Sequence, residues 1–223
     1  MSNFITTYTG RHFEPANPDP DAICIEDIAH ALSLITRGNG HVKTFWSVGE
    51  HCLCCAKEAA ARGLSDRMVL ACLLHDASEC YMSDIPRPFK RELPEYREHE
   101  ERLLDLIYEK FLGSPLTREE QVQLKSIDDA MLWYDLTVLL GESLRTDAPK
   151  LQIEPDYTVR PFAEVEQEFL AVFEKYGVRD LRGRLVQRSF SSHPGPVGKP
   201  ANTGKNRKGG NRLRSEGKEM MDD

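Results

Sequence analysis

Two histidines and a set of aspartates carry the chemistry that the residue types of this chain allow. His75 and Asp76 stand side by side at the end of the apolar run Met68-Val69-Leu70-Ala71-Cys72-Leu73-Leu74. His51 lies upstream in Ser47-Val48-Gly49-Glu50-His51, and a further carboxylate lies downstream in Ile127-Asp128-Asp129-Ala130. Imidazole nitrogens and carboxylate oxygens form a mixed donor set that suits Mn, Co, Fe, Ni or Zn ahead of Ca or Mg, with Mg still able to enter. One such divalent ion lowers the pKa of bound water and polarises a phosphoryl group. The chemistry this predicts is hydrolysis of a phosphate ester. Neighbouring helical residues diverge by about 100°. His75 and Asp76 therefore reach one ion only if it sits between their directions or if the helix loosens there. Two more carboxylates follow: Glu79 shares a helix face with His75, and Asp84 precedes the Ile85-Pro86 turn.

Helices must position these groups. Ile28, Ala31, Leu32 and Ile35 recur at helical spacing within Asp27 to Arg37, and Gly38 and Gly40 break that run. A second helix is predicted from about Ser47 to Arg62, stopped by Gly63, and a third from Ser65 as cap through Asp66 to Glu79. The third is apolar nearly all round, the mark of a central buried helix. The proline-stiffened stretch from Ser83 to Lys90 reads as a loop. Further helices are expected over Glu95 to Leu112, from a Thr117/Glu120 capping box through Tyr134, and over Pro161 to Tyr176. No alternating strand pattern of any length is visible, so the fold class is all-α.

Composition narrows the classes. The chain has 223 residues, 40% hydrophobic and 29% charged, and a formal charge of −7. That balance fits a soluble globular domain and argues against a surface that coats nucleic acid. No apolar run reaches the roughly 18 residues of a membrane span. The N-terminal residues carry neither the basic nor the apolar part of a secretory signal, which makes the cytoplasm the expected location. The six cysteines, four of them Cys52, Cys54, Cys55 and Cys72 near the histidines, read as reduced core residues. The run Cys52 to Cys55 points in several directions on a helix and is not expected to converge on one tetrahedral ion.

The segments Gly49-Glu50-His51-Cys52-Leu53, His75-Asp76-Ala77-Ser78-Glu79, Ser83-Asp84-Ile85-Pro86-Arg87-Pro88-Phe89-Lys90 and Asp129-Ala130-Met131 together resemble the HD-domain metal-dependent phosphohydrolases. Bacterial 5′-deoxynucleotidases and phage-borne HD-domain nucleotide hydrolases are equally similar, over roughly residues 25–140. The resemblance implies a helical bundle, here over 23–180; composition reads residues 1–22, rich in Pro, Asn and Asp, as an extended lead-in and 189–223, rich in Gly, Pro, Ser, Asn and Lys, as a disordered, basic-to-mixed tail. It implies one metal held by His51, His75, Asp76 and Asp129, with Asp128 nearby supporting a ligand. Glu79 and Asp84 match positions that serve catalysis and substrate placement, Arg37 matches a phosphate contact, and His41 resembles a phosphate-proximal histidine of the phage-like branch. Gly38 stands where the nucleotidases have Trp, and Ser83 where they have Gly, which leaves the sugar open.

The expected activity is therefore hydrolysis of a small nucleotide, with Arg37 and Lys90 on phosphate oxygens and Glu79 orienting or deprotonating the water. Monophosphate and triphosphate substrates are both compatible. A two-metal HD protein needs more histidines than His99 supplies between His75 and the last aspartate. A silent nucleotide-binding module, using the basic tail as a tether, is the alternative from another class. A homodimer is expected, with Leu136, Leu139 and Leu140 as one candidate apolar strip.

Overall fold

The computed structural model describes residues 3–177, all within one unit of the chain spanning Met1–Phe190. The tail expected from residue 189 and the last residues of the expected core lie outside the described residues. The fold is all-α, as the sequence predicts. Its helices are α1 (Ile25–Leu34), α2 (Val48–Ala61), α3 (Asp66–Leu74), α4 (Glu79–Met82), α5 (Arg87–Lys90), α6 (Pro94–Leu112), α7 (Arg118–Asp135) and α8 (Phe162–Tyr176).

The α2–α3 hairpin is the axis of the bundle. These two helices pack against one another most extensively, and α1, α6, α7 and α8 surround them. Every residue of α3 from Met68 to Leu74 is buried, which is what its all-round apolar sequence requires. Local signals set the ends. Ser47 and Glu50 form a reciprocal capping box at the start of α2, Ser65 caps α3, and Thr117 and Glu120 repeat the box at α7. Gly49 permits the close approach of α1, since a Cβ there would meet the Leu32 carbonyl carbon and oxygen at 3.2 Å.

Four local features differ from the sequence reading. The N-terminal segment contains a short antiparallel hairpin, β1 (Ile5–Thr6) with β2 (His12–Phe13), whose strands are too short to leave an alternating pattern. The third helix stops at Leu74, and a turn over 75–78 precedes the short α4. Pro88 sits in the first turn of α5, where its missing N–H costs nothing, so one helical turn forms inside the expected loop. The strip at Leu136, Leu139 and Leu140 is not an exposed face: it belongs to a π-turn, with Leu139 buried and the other two half-buried.

Residues 142–161 have little regular structure and run as a strap over α2 and α7. Its backbone is held by a buried carboxylate: the N–H groups of Gln152 and Ile153 donate to Glu58 at 2.8 and 3.0 Å. From the other side, the Tyr134 hydroxyl donates to the Pro149 carbonyl at 2.9 Å.

Because α3 is enclosed, truncating it should cost the full cavity penalty. Leu70 is completely buried, and Leu70→Ala is expected to lower stability by about 2–5 kcal/mol, read as a lower denaturant midpoint with an unchanged slope.

Candidate metal centre

Each histidine is fixed through Nδ1. His75, just past the end of α3, has Nδ1 at 2.8 Å from the Cys72 carbonyl oxygen. His51, on α2, has Nδ1 at 2.8 Å from Asp135 Oδ2. A carbonyl and a carboxylate can only accept, so both Nδ1 atoms carry the proton and both Nε2 atoms present lone pairs. The two rings lie with centroids 5.2 Å apart.

Those lone pairs face carboxylate oxygens. His51 Nε2 is 3.1 Å from Asp128 Oδ1; His75 Nε2 is 3.3 Å from Asp76 Oδ2 and 3.7 Å from Asp128 Oδ1. His75 Nε2 is buried and has no hydrogen-bond partner. Acceptors facing acceptors need a proton or a cation between them. Ligand atoms about 2.1 Å from one ion would stand roughly 3.0 Å apart at octahedral edges and 3.4 Å at tetrahedral ones. The 3.1 and 3.3 Å separations fall within that range and the 3.7 Å one lies just beyond it, so His51, His75, Asp76 and Asp128 suit a divalent metal in donor chemistry and nearly so in spacing.

The placement of the aspartates corrects the sequence reading. Asp129 does not join the cluster. It is 45% exposed and pairs with Arg87 Nη1 at 3.1 Å and with Lys125 on its own helix. Asp128 faces inward instead. One residue is about 100° of helix rotation, so only one of two adjacent aspartates can look into the bundle. Asp135 is the residue that sequence reading missed. It stands seven residues after Asp128, two turns along the same face, and orients His51 in the way carboxylates commonly orient metal-bound histidines. That spacing was the available signal.

Two thiols also border the cluster. Cys55 Sγ is 3.6 Å from His51 Nε2, and Cys52 Sγ is 3.9 Å from His75 Nδ1. The cysteine run does not converge as a set, yet each of these two abuts one histidine, Cys55 through its four-residue spacing. Cys55 with His51 and His75, and Cys52 with His75 and Asp76, each form a three-residue group whose ligand atoms lie within 4.8 Å of one another. Burial pushes both thiols up, Cys55 strongly, which favours the carboxylates as ligands.

Around this centre sit the remaining expected residues. Arg37 is mostly buried and spans Asp76 Oδ2 and Asp135 Oδ2, each at 3.5 Å. It leads into a turn in which Gly38, Asn39 and Gly40 all have positive φ, so glycine at 38 is a backbone requirement. Glu79 is buried, with Oε2 unpartnered and Oε1 4.0 Å from Lys90 Nζ. Burial, then the neighbouring Asp76 and Asp84, hold its carboxyl well above the usual range, against the opposing pull of Arg37 and Lys90. Lys90 itself is turned to Glu100 at 2.6 Å. Asp84 is half-buried and is pushed up chiefly by burial, which Arg37 opposes and Asp76 reinforces. It follows Ser83, a C-cap with φ 72° and ψ 154°, whose carbonyl accepts from the Tyr96 hydroxyl at 2.8 Å. His41 lies on the exposed turn, and no described contact ties its side chain to the cluster.

A proton on His75 competes with a metal for Nε2. Burial opposes that proton, but Asp76 foremost, with Cys52 and Asp128, raises the His75 pKa well above its ordinary value. Metal binding should therefore release protons, and affinity should rise with pH through and beyond neutrality. Calorimetric titration of Mn²⁺ in buffers of different ionisation enthalpy measures both; a pH-independent affinity with no proton release would contradict the geometry.

No family model matches the chain. Two similar proteins set its relationships. YfdR of Escherichia coli K12, described only as uncharacterized, is 34% identical over 142 residues, covering 59% of this chain and 77% of YfdR. An uncharacterized protein of Rhodobacter capsulatus is 31% identical over 182 residues, covering 73% of this chain and 90% of its own length. With identity and coverage at that level, the chain belongs to the protein family that includes YfdR.

Proposed function

We propose that this protein is a single-metal phosphohydrolase of the HD-domain kind that acts on nucleotides. The observation that carries the reading is the placement of Asp128 Oδ1 3.1 Å from His51 Nε2 and 3.7 Å from His75 Nε2, with Asp76 Oδ2 3.3 Å from His75 Nε2. A bound divalent ion supplies an activated water and polarises the phosphoryl oxygens. The residues around it supply the rest. Arg37 lies against Asp76 and presents a fixed guanidinium suited to a phosphoryl oxygen. Glu79, whose carboxyl is held above its ordinary range by burial and by the neighbouring Asp76 and Asp84, is placed to orient the water or exchange a proton with it. Asp84 and Lys90 lie near Glu79 and add a carboxylate and an ammonium on that side of the centre. The nucleotide class rests on the resemblance of the four motifs. The six unpaired cysteines fit a reducing, cytoplasmic setting.

Phosphate and pyrophosphate release from nucleoside mono- and triphosphates, with Mn, Co, Mg and Zn tested separately, examines this directly. Asp128→Asn should abolish turnover while Asp129→Asn should lower it only in part. Glu79→Gln should lose about 10²–10⁴-fold in kcat while still binding metal. Retained turnover in Asp128→Asn, or none in the metal-loaded wild type with any nucleotide, would remove the reading.

A further inference from the structure

We propose that Arg87 is a positioning residue that holds the metal ligand Asp128, with Asp129 as its outer anchor. This rests on the metal reading above. The Asp128 carboxylate is divided between two tasks. Oδ1 faces the two Nε2 atoms, and Oδ2 accepts from Arg87 Nη2 at 2.6 Å. The other arm of the same guanidinium donates from Nη1 to Asp129 Oδ1 at 3.1 Å. The second oxygen of Asp129 is taken by Lys125 from one turn earlier. Arg87 thus bridges two aspartates that point about 100° apart, which a planar fork can do and a point charge cannot.

The arrangement explains why an exposed aspartate stands beside a half-buried one. Asp129 aims Arg87, Arg87 fixes the rotation of Asp128, and Oδ1 stays turned toward the histidines. Pro86 and Pro88 flank Arg87 and limit the backbone freedom of its segment. The competing effect has the opposite sign. A guanidinium this near a cation repels it, so a purely electrostatic Arg87 would weaken metal binding. Asp129 offsets that charge, and the geometry points to orientation as the stronger effect.

Mn²⁺ dissociation constants of wild type, Arg87→Ala, Arg87→Lys and Asp128→Asn, together with melting of the metal-stripped proteins, test this. Arg87→Ala should raise Kd about 10–100-fold, with Arg87→Lys between it and wild type and all metal-stripped melting points close together. At saturating Co²⁺ the visible absorption of Arg87→Ala should differ from wild type, reporting a displaced carboxylate. Unchanged or tighter Mn²⁺ binding by Arg87→Ala, with Asp128→Asn non-binding, overturns the role of Arg87 and leaves the metal centre standing. If wild type binds no Mn²⁺, or Asp128→Asn binds like wild type, the metal centre itself falls and takes this role with it.

Discussion

Buried lone pairs that face carboxylates govern this molecule. Tying Nδ1 of His51 to Asp135 and Nδ1 of His75 to the Cys72 carbonyl leaves two Nε2 atoms aimed at Asp76 and Asp128. In a low-dielectric interior such an arrangement is costly unless positive charge sits within it. Arg37 is drawn in from one side, bridging Asp76 and Asp135, and Arg87 from the other, bridging Asp128 and Asp129. The carboxylates outnumber these cations, and the raised pKa of Glu79 combines its burial with that excess from Asp76 and Asp84. The helices can be seen as the means of holding this charge pattern at fixed spacing: α2 and α3 bring the histidines together, and α7 brings two aspartates to them.

The strap over residues 142–161 shows how an irregular segment becomes part of that frame. Its backbone amides end on Glu58, a fully buried carboxylate on the same helix as His51, which also pairs with Arg62 at 2.7 Å. Farther along, the Tyr157 hydroxyl donates to Asp135 Oδ1 at 3.0 Å. Asp135 therefore serves His51, Arg37 and the strap at once. A carboxylate with three partners has little freedom to rotate, which transmits the rigidity of the strap to the imidazole.

Much of this frame was legible in the sequence, for identifiable reasons. The caps at Ser47, Ser65 and Thr117 and the all-round apolar run of α3 are local signals, and the structure places helix starts where they stand. His51, His75 and Asp76 were recognisable because two of them are adjacent and the third sits in a motif. Asp129 was favoured over Asp128 by the Asp-Ala-Met register alone, since deciding between neighbours on physical grounds requires knowing which side of α7 meets α2. Asp135 carries no motif at all, only a spacing. The strap left no trace because its contacts are backbone amides on a distant glutamate, and no periodicity encodes them.

Ser83 closes α4 in a backbone region that is essentially reserved for glycine. Holding a serine there costs on the order of 1–3 kcal/mol, a noticeable fraction of the roughly 5–15 kcal/mol by which a folded domain typically outweighs its unfolded chain. The Tyr96 hydroxyl on the Ser83 carbonyl and Pro86 just beyond keep the peptide from relaxing. The aim of Asp84 is thus set by a tensioned hinge rather than by a comfortable one. A redesign that sought only thermal robustness would release that tension first, and would loosen the placement of Asp84 near Glu79 in doing so.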